Sequence, residues 1–188
     1  MEALRNIERS ILMFFQDIRN PVTDPIMQAI TFLGDKGWFW ILLSLILMIV
    51  PKTRKVGINC AAACAFDVLI VNVIVKNIVR RGRPYVLFEG LTYITSQPSD
   101  YSFPSGHTAI SFAVAFTLLY LTPKKYSIPT MILASLIALS RLYVGVHYPT
   151  DIIGGIIAGA VASALAIFTV KKVTAYISTK FKADNKND

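Results

Sequence analysis

Charge is what this 188-residue sequence has least of: Asp, Glu, Lys and Arg make up 16% of it, against 54% hydrophobic residues. A soluble domain carries about a quarter charged residues, so the deficit points to a lipid environment. The apolar residues lie in long blocks rather than at amphipathic spacing, and mean hydropathy is +0.56. Cysteine is nearly absent. Cys60 and Cys64 sit four apart in one apolar block, where a disulfide within one helix would be strained. With no cysteine–histidine cluster to hold zinc, they read as small buried helix residues. No cleavage site of small residues follows the first apolar segment, MEALRNIERSILMFFQD, so it is not read as a cleaved signal peptide. Internal repeats are also missing. The net charge of +8 sits in short clusters between apolar blocks. That placement suits loops facing anionic lipid and a phosphate site, and no nucleic-acid partner is expected.

What is there is long apolar runs. Residues 3 to 19 place Leu4, Ile7, Ile11, Phe14, Phe15 and Ile18 against Arg5, Glu8, Arg9 and Asp17 at helical spacing. This predicts an amphipathic helix in the membrane interface, broken at Asn20-Pro21. A short segment from about Asp24 to Phe32 leads to Gly34. Spans of about twenty apolar residues are expected over 37–50, 56–79, 108–121, 127–146 and 150–170, the first and third borrowing flanking residues. The predicted fold is all-α: a polytopic transmembrane helix bundle of five spans plus the interfacial helix. A six-span alternative promotes residues 22–33 or the first helix. The chain divides into an N-terminal interfacial segment (1–35), a transmembrane unit (36–175) and a polar cytoplasmic tail (176–188).

Loop charge sets the orientation. Lys52, Arg54 and Lys55, then Lys124 and Lys125, then Lys171, Lys172, Lys180, Lys182 and Lys186 fall on one side, which the positive-inside rule makes cytoplasmic. The loops at 80–107 and 146–150 then face outward. Trp38, Trp40, Tyr85, Tyr93, Tyr101, Tyr143 and Tyr148 lie on that side, as an interfacial aromatic belt would. Gly155 and Gly159 form a small-xxx-small pair that permits close helix approach, expected within the monomer rather than in a dimer.

Three clusters reach the outward face: Lys76 to Pro84 (KNIVRRGRP), Pro104 to His107 (PSGH) and Ser140 to Asp151 (SRLYVGVHYPTD). Lys76, Arg83 and Arg141 are cations near a membrane boundary, where desolvation is costly without a partner. A phosphate supplies one and accepts bidentate arginine bonds. Pro104-Ser105-Gly106 opens a span whose free N–H groups and positive dipole end favour an anion, and the Ser105 hydroxyl can add a hydrogen bond. The chain has two histidines, His107 and His147, both in these clusters. Asp151, four residues after His147, can hold one ring nitrogen and leave the other free to attack. His107 can protonate the leaving oxygen. Each feature also has a plain reading. A histidine at a span end is often an interfacial hydrogen-bonding residue, Arg80 and Arg81 read as headgroup anchors, and PSG alone is an N-cap signal. Asp67, inside the second span, reads as a polar contact between helices, with Asn59 and Asn72 on the same span.

Lys76-x6-Arg83-Pro84, Pro104-Ser105-Gly106-His107 and Ser140-Arg141-x5-His147-x3-Asp151 together resemble the three-part signature of the type 2 phosphatidic acid phosphatase (PAP2) superfamily, which includes vanadium haloperoxidases. Its fixed positions match without a departure. The resemblance implies a phosphohistidine at His147, held by Asp151, with His107 as acid and then base. Lys76, Arg83, Ser105, Gly106 and Arg141 would bind the phosphate oxygens. It also implies no metal or other cofactor. The expected function is hydrolysis of a lipid phosphomonoester or diphosphate at the outer face of a bacterial plasma membrane. The small size resembles undecaprenyl-diphosphate phosphatases, with phosphatidylglycerophosphate or phosphatidate as the alternative substrate. Transfer to another acceptor, or lipid binding without turnover, are the remaining alternatives. Oligomeric state is not legible.

Overall fold

A computed structural model describes residues 2–184, and helices dominate it. Helix α1 (Glu2–Asp17) is followed by α2 (Thr23–Phe32), α3 (Trp38–Ile49), α4 (Arg54–Asp67), α5 (Lys76–Val79), α6 (Pro84–Leu87), α7 (Gly106–Leu121), α8 (Lys124–Tyr143) and α9 (Pro149–Asp184). A π-helical stretch, Val68–Val75, joins α4 to α5.

Three helical segments are long and apolar enough to cross a membrane singly: Arg54–Leu87, Lys124–Tyr143 and Pro149–Lys180. Helices α2 and α3 qualify only as a pair, bent by 42° at the break between them. Residues 22–33, which the six-span alternative promotes, are thus the first limb of a broken helix. The break occurs at Gly34-Asp35-Lys36-Gly37, where Lys36 and Gly37 take left-handed φ values of 52° and 70°. Glycine adopts such a φ at no steric cost.

Helix α7, 16 residues long, is short for a lipid-facing span. It lies at the centre instead, packed against α8, α9 and α4, with Thr108 through Ala115 buried without interruption. Surrounded by protein, it has no need to match the hydrocarbon thickness. Its seam with α9 is set by Gly155 and Gly159. A β-carbon at Gly159 would sit 2.6 Å from the Ala109 carbonyl oxygen, and one at Gly155 would sit 2.8 Å from that of Ser105. The small-residue pair therefore packs within the monomer, as expected. Thr117 and Ser163 hydrogen-bond across the same seam at 2.9 Å.

Helix α1 has the predicted bounds to within two residues. Leu4, Ile7 and Phe14 are exposed, whereas Glu8 and Leu12 are buried against the bundle. The aromatic belt is thinner than the sequence suggests. Trp40, Tyr143 and Tyr148 are buried inside the protein, and the Trp40 indole donates to Ser111 Oγ on α7 at 2.8 Å. Burial against a neighbouring helix outweighs the interfacial preference of these rings. Helix α9 continues through Asp184, into the segment expected as a polar tail; residues 185–188 lie outside the described residues.

Candidate active site

The ends of α5 and α8, the starts of α7 and α9 and the α2–α3 break meet at one end of the bundle. The turns after α3 and α7, with Lys52 and Lys124, lie at the other. A cavity of about 740 Å³ opens at the first end, lined among others by Lys76, Arg83, Gly106, His107, Arg141 and His147. Six of the eight residues singled out from sequence therefore share one cavity. Asp151 stands directly behind His147. Ser105 lies beneath, fully buried, its hydroxyl accepting from the Thr108 N–H at 3.4 Å as the N-cap of α7 and from the Thr108 hydroxyl at 3.0 Å.

His147 is held from both sides. Its Nδ1 lies 3.3 Å from Asp151 Oδ2, and its Nε2 lies 3.0 Å from Arg83 Nη1. A guanidinium can only donate, so Nε2 carries the lone pair and Nδ1 carries the proton shared with Asp151. Burial, then the charges of Arg83 and Arg141, push the His147 pKa well below the ordinary imidazole value. The ring is thus a neutral base whose lone pair meets Arg83 at the cavity wall.

The cations are deeply placed, each 6% exposed or less. Lys76 bonds the Asp100 carboxylate. Arg83 bonds that carboxylate too and donates to the Val146 carbonyl at 2.9 Å. Burial works against the charge of Asp100, but Lys76 and Arg83 outweigh it and hold its pKa below its usual range. Arg141 differs: among the described residues no carboxylate lies within ion-pair distance. Its guanidinium donates to the Thr31 hydroxyl, and its buried Nε has no partner. A buried cation with an unused donor on a cavity wall is built to receive an anion.

Three residues that the sequence reading passed over complete the picture. Asp35, from the α2–α3 break, lies 2.7 Å from Nε2 of His107. Asp100, on the long loop before α7, occupies the Lys76–Arg83 pair. Ser102 donates to Asp151. Their signals were faint: Asp35 sits in a Gly34-Asp35-Lys36-Gly37 turn between apolar runs, and Asp100 has no local pattern. Arg81 departs from its reading as a headgroup anchor, because its guanidinium bonds Glu8 and Asp151. Two carboxylates inside the protein outcompete lipid phosphates. Asp67 is corrected as well. Asn59 bonds the Lys55 carbonyl, whereas Asp67 lines the cavity with its Oδ1 buried and unpartnered. On a regular helix of about 3.6 residues per turn, positions five apart face well away from each other. The wider π turns instead bring Asp67, Asn72 and Lys76 onto one cavity wall. Among the described residues no group of three His, Cys, Asp or Glu could hold a metal ion.

An all-helical membrane protein with a cavity lined by two histidines and three cations is the class these features define. The chain belongs to the PAP2 superfamily, whose sequence profile matches residues 57–175 and so takes in all eight residues singled out from sequence. It is 35% identical over 132 residues to the undecaprenyl-diphosphatase of Sulfolobus acidocaldarius, covering 70% of this chain and 64% of that protein's length. It is 30% identical over 190 residues to the lipid A 4'-phosphatase of Bacteroides thetaiotaomicron, covering 95% of this chain and 84% of that one. The fold matches the crystal structure of a transmembrane PAP2-type phosphatidylglycerolphosphate phosphatase from Bacillus subtilis. The TM-score is 0.72 at 25% identity, over 92% of this chain and 89% of the other. The protein is an integral membrane phosphatase of the PAP2 lipid-phosphatase type.

Proposed function

We propose that the protein hydrolyses a lipid phosphomonoester or diphosphate through a phosphohistidine at His147, without a metal, and that undecaprenyl diphosphate is its substrate. The observation that carries the mechanism is the fixed tautomer of His147, its lone pair held by Arg83 on the wall of a cavity where Arg141 keeps an unused donor. Nε2 attacks phosphorus, and the bond to the leaving oxygen breaks as His107 gives that oxygen a proton. His107, now a base, takes a proton from water; the hydroxide displaces Nε2 and phosphate leaves. Lys76, Arg83, Arg141 and the free N–H groups at the start of α7 spread the charge of the transferring group. A ligand phosphate displaces the Asp100 carboxylate from the first two and draws Arg83 off Nε2 of His147, freeing the lone pair to attack. Burial, then the charge of Arg141, push the His107 pKa down to about 4 against the opposing pull of Asp35. The negative charge of a bound phosphate is therefore needed to raise it before His107 can act as acid. His147 must be neutral and His107 protonated, so activity should fall on both sides of an optimum; a rate flat from acid to alkaline pH would contradict these roles.

The isoprenoid substrate is supported by the relative at 35% identity. One observation favours a glycerolipid or sugar headgroup instead: the unpartnered Asp67 carboxylate faces the cavity, where it would accept from a hydroxyl and repel a second phosphate. Phosphate release from undecaprenyl diphosphate and phosphatidylglycerophosphate, side by side in mixed micelles with excess EDTA, separates the readings. Preference for the isoprenoid upholds the first and preference for the glycerolipid the second. Loss of activity with EDTA removes the metal-free mechanism, and phosphate release undiminished in His147→Ala removes the phosphohistidine.

The basic turns at the opposite end support a site on the extracytoplasmic side of a bacterial plasma membrane. Labelling of single cysteines at Tyr101 and Lys125 by an impermeant thiol reagent on intact cells tests this: Tyr101→Cys should react and Lys125→Cys should not.

A further inference from the structure

The contact between His147 and Asp151, at 3.3 Å, is the longest hydrogen bond that the aspartate makes. Something else therefore sets the carboxylate's orientation. Its Oδ2 accepts from Ser102 and from the Tyr148 N–H at 3.0 Å. Its Oδ1 accepts from Arg81 Nη1 at 2.7 Å. That guanidinium is itself fixed at three further points: Nη1 donates to the Thr150 hydroxyl at 2.6 Å, Nη2 to Glu8 Oε2 at 2.7 Å, and its plane lies 3.7 Å from the Tyr148 ring centre. Glu8 also accepts from Thr150 and is buried, although it belongs to a surface helix.

We infer that Glu8 and Arg81 form a positioning relay for the nucleophile: α1 delivers Glu8, Glu8 fixes Arg81, and Arg81 aims Asp151 at His147. Arg81 does not line the cavity, so it is placed to act on Asp151 and not on the substrate. The cluster Glu8–Arg81–Asp151 carries one net negative charge behind a ring that becomes positive as it attacks. Without Glu8, the Arg81–Asp151 pair is neutral and that stabilisation is lost. Neither residue belongs to the three-part signature, and the relay ends on the helix whose other face, Leu4, Ile7 and Phe14, is turned outward. The inference rests on His147 as nucleophile.

The test is steady-state kinetics of the full chain in micelles, on undecaprenyl diphosphate or phosphatidylglycerophosphate, whichever the parent hydrolyses. Removal of a residue that orients a reacting group costs about 10- to 100-fold. Arg81→Met is expected at the upper end of that range and Glu8→Gln near the lower. Both should lower kcat with KM nearly unchanged, and Arg81→Lys should recover part of the loss. The double variant should be no slower than Arg81→Met alone, as expected of residues acting in series. A raised KM at parental kcat, or losses that multiply in the double variant, would overturn the relay. Gel filtration and thermal midpoints identify any variant that fails to fold; should Arg81→Met do so, Glu8→Gln and Arg81→Lys carry the test. His147→Ala separates the two levels. If it still releases phosphate, the nucleophile assignment fails and the relay falls with it. If it is inactive while the Glu8 and Arg81 variants keep the parental kcat, the relay alone is wrong.

Discussion

The two histidines of the site are held in opposite ways. His147 is sealed, with one carboxylate behind it at no exposure and a second, Glu8, a residue further back. His107 faces Asp35, whose side chain is about half exposed, at 48%, on a break in a helix rather than in a packed wall. As the proposed nucleophile, His147 must meet phosphorus in one direction, so a rigid, dry support suits it. As the proposed acid and then base, His107 must exchange with water, so an open support suits it. The difference teaches that the site is preorganised on one side and adjustable on the other.

That comparison can be broken most directly at Asp151. Asp151→Asn keeps the shape but removes the charge that fixes the His147 tautomer, and kcat should fall by about 10³- to 10⁴-fold, the scale seen for the aspartate of a serine-protease triad. A loss of tenfold or less would mean that His147 needs no such partner. Asp35→Asn is the matching test on the open side. A general acid contributes about 10²- to 10⁴-fold, and weakening its support should cost only part of that. The cost should disappear with a p-nitrophenyl phosphate ester, whose leaving group needs no proton. An equal loss on both substrates would place Asp35 in structure instead of proton transfer. Asp100→Asn should have a smaller effect in the other direction. Half-exposed ion pairs contribute about 0.2–1 kcal/mol, so freeing Lys76 and Arg83 should tighten vanadate inhibition roughly two- to fivefold at low salt. Weaker inhibition would mean that the carboxylate helps hold the ligand.

The smallest effect concerns stability. The native His147 pKa lies well below its unfolded value of about 6.5. As pH falls through that value the unfolded chain takes up a proton that the native ring refuses, so this contribution is present above about pH 6.5 and is lost toward acid. The thermal midpoint of the parent should therefore fall more between pH 7 and pH 5 than that of His147→Gln. Parallel curves would show that the native ring accepts the proton.

Much of this was legible in the sequence, for a physical reason. Hydropathy blocks set where helices run, the cationic turns set which ends group together, and the signature residues sit at those ends. The bundle then has little choice but to bring Lys76, His107, Arg141 and His147 to one place. What stayed hidden are partners chosen by side-chain reach between distant segments. Glu8 and Asp151 are 143 positions apart and share one guanidinium; no periodicity announces that. Arg81 was misread because an arginine at a helix end has the same local pattern whether it faces lipid or a buried acid. Asp67 was read as a contact between helices because nothing in the sequence marks where the backbone widens, and the wider turn changes which residues share a face.

The enclosed position of α7 bears on the membrane itself. A lipid-exposed helix must tilt, stretch its surroundings or thin the bilayer when its length does not match. Helix α7, which carries His107 and the proposed phosphate-binding helix start, meets other helices instead, and the burden of matching falls on α8 and α9 around it. A mismatch should thus reach the site through Arg141 on α8 and Asp151 on α9 while leaving His107 in place. Rates should therefore differ between short-chain and long-chain phosphatidylcholine vesicles; equal rates would show that the ends of α8 and α9 are held as firmly as α7.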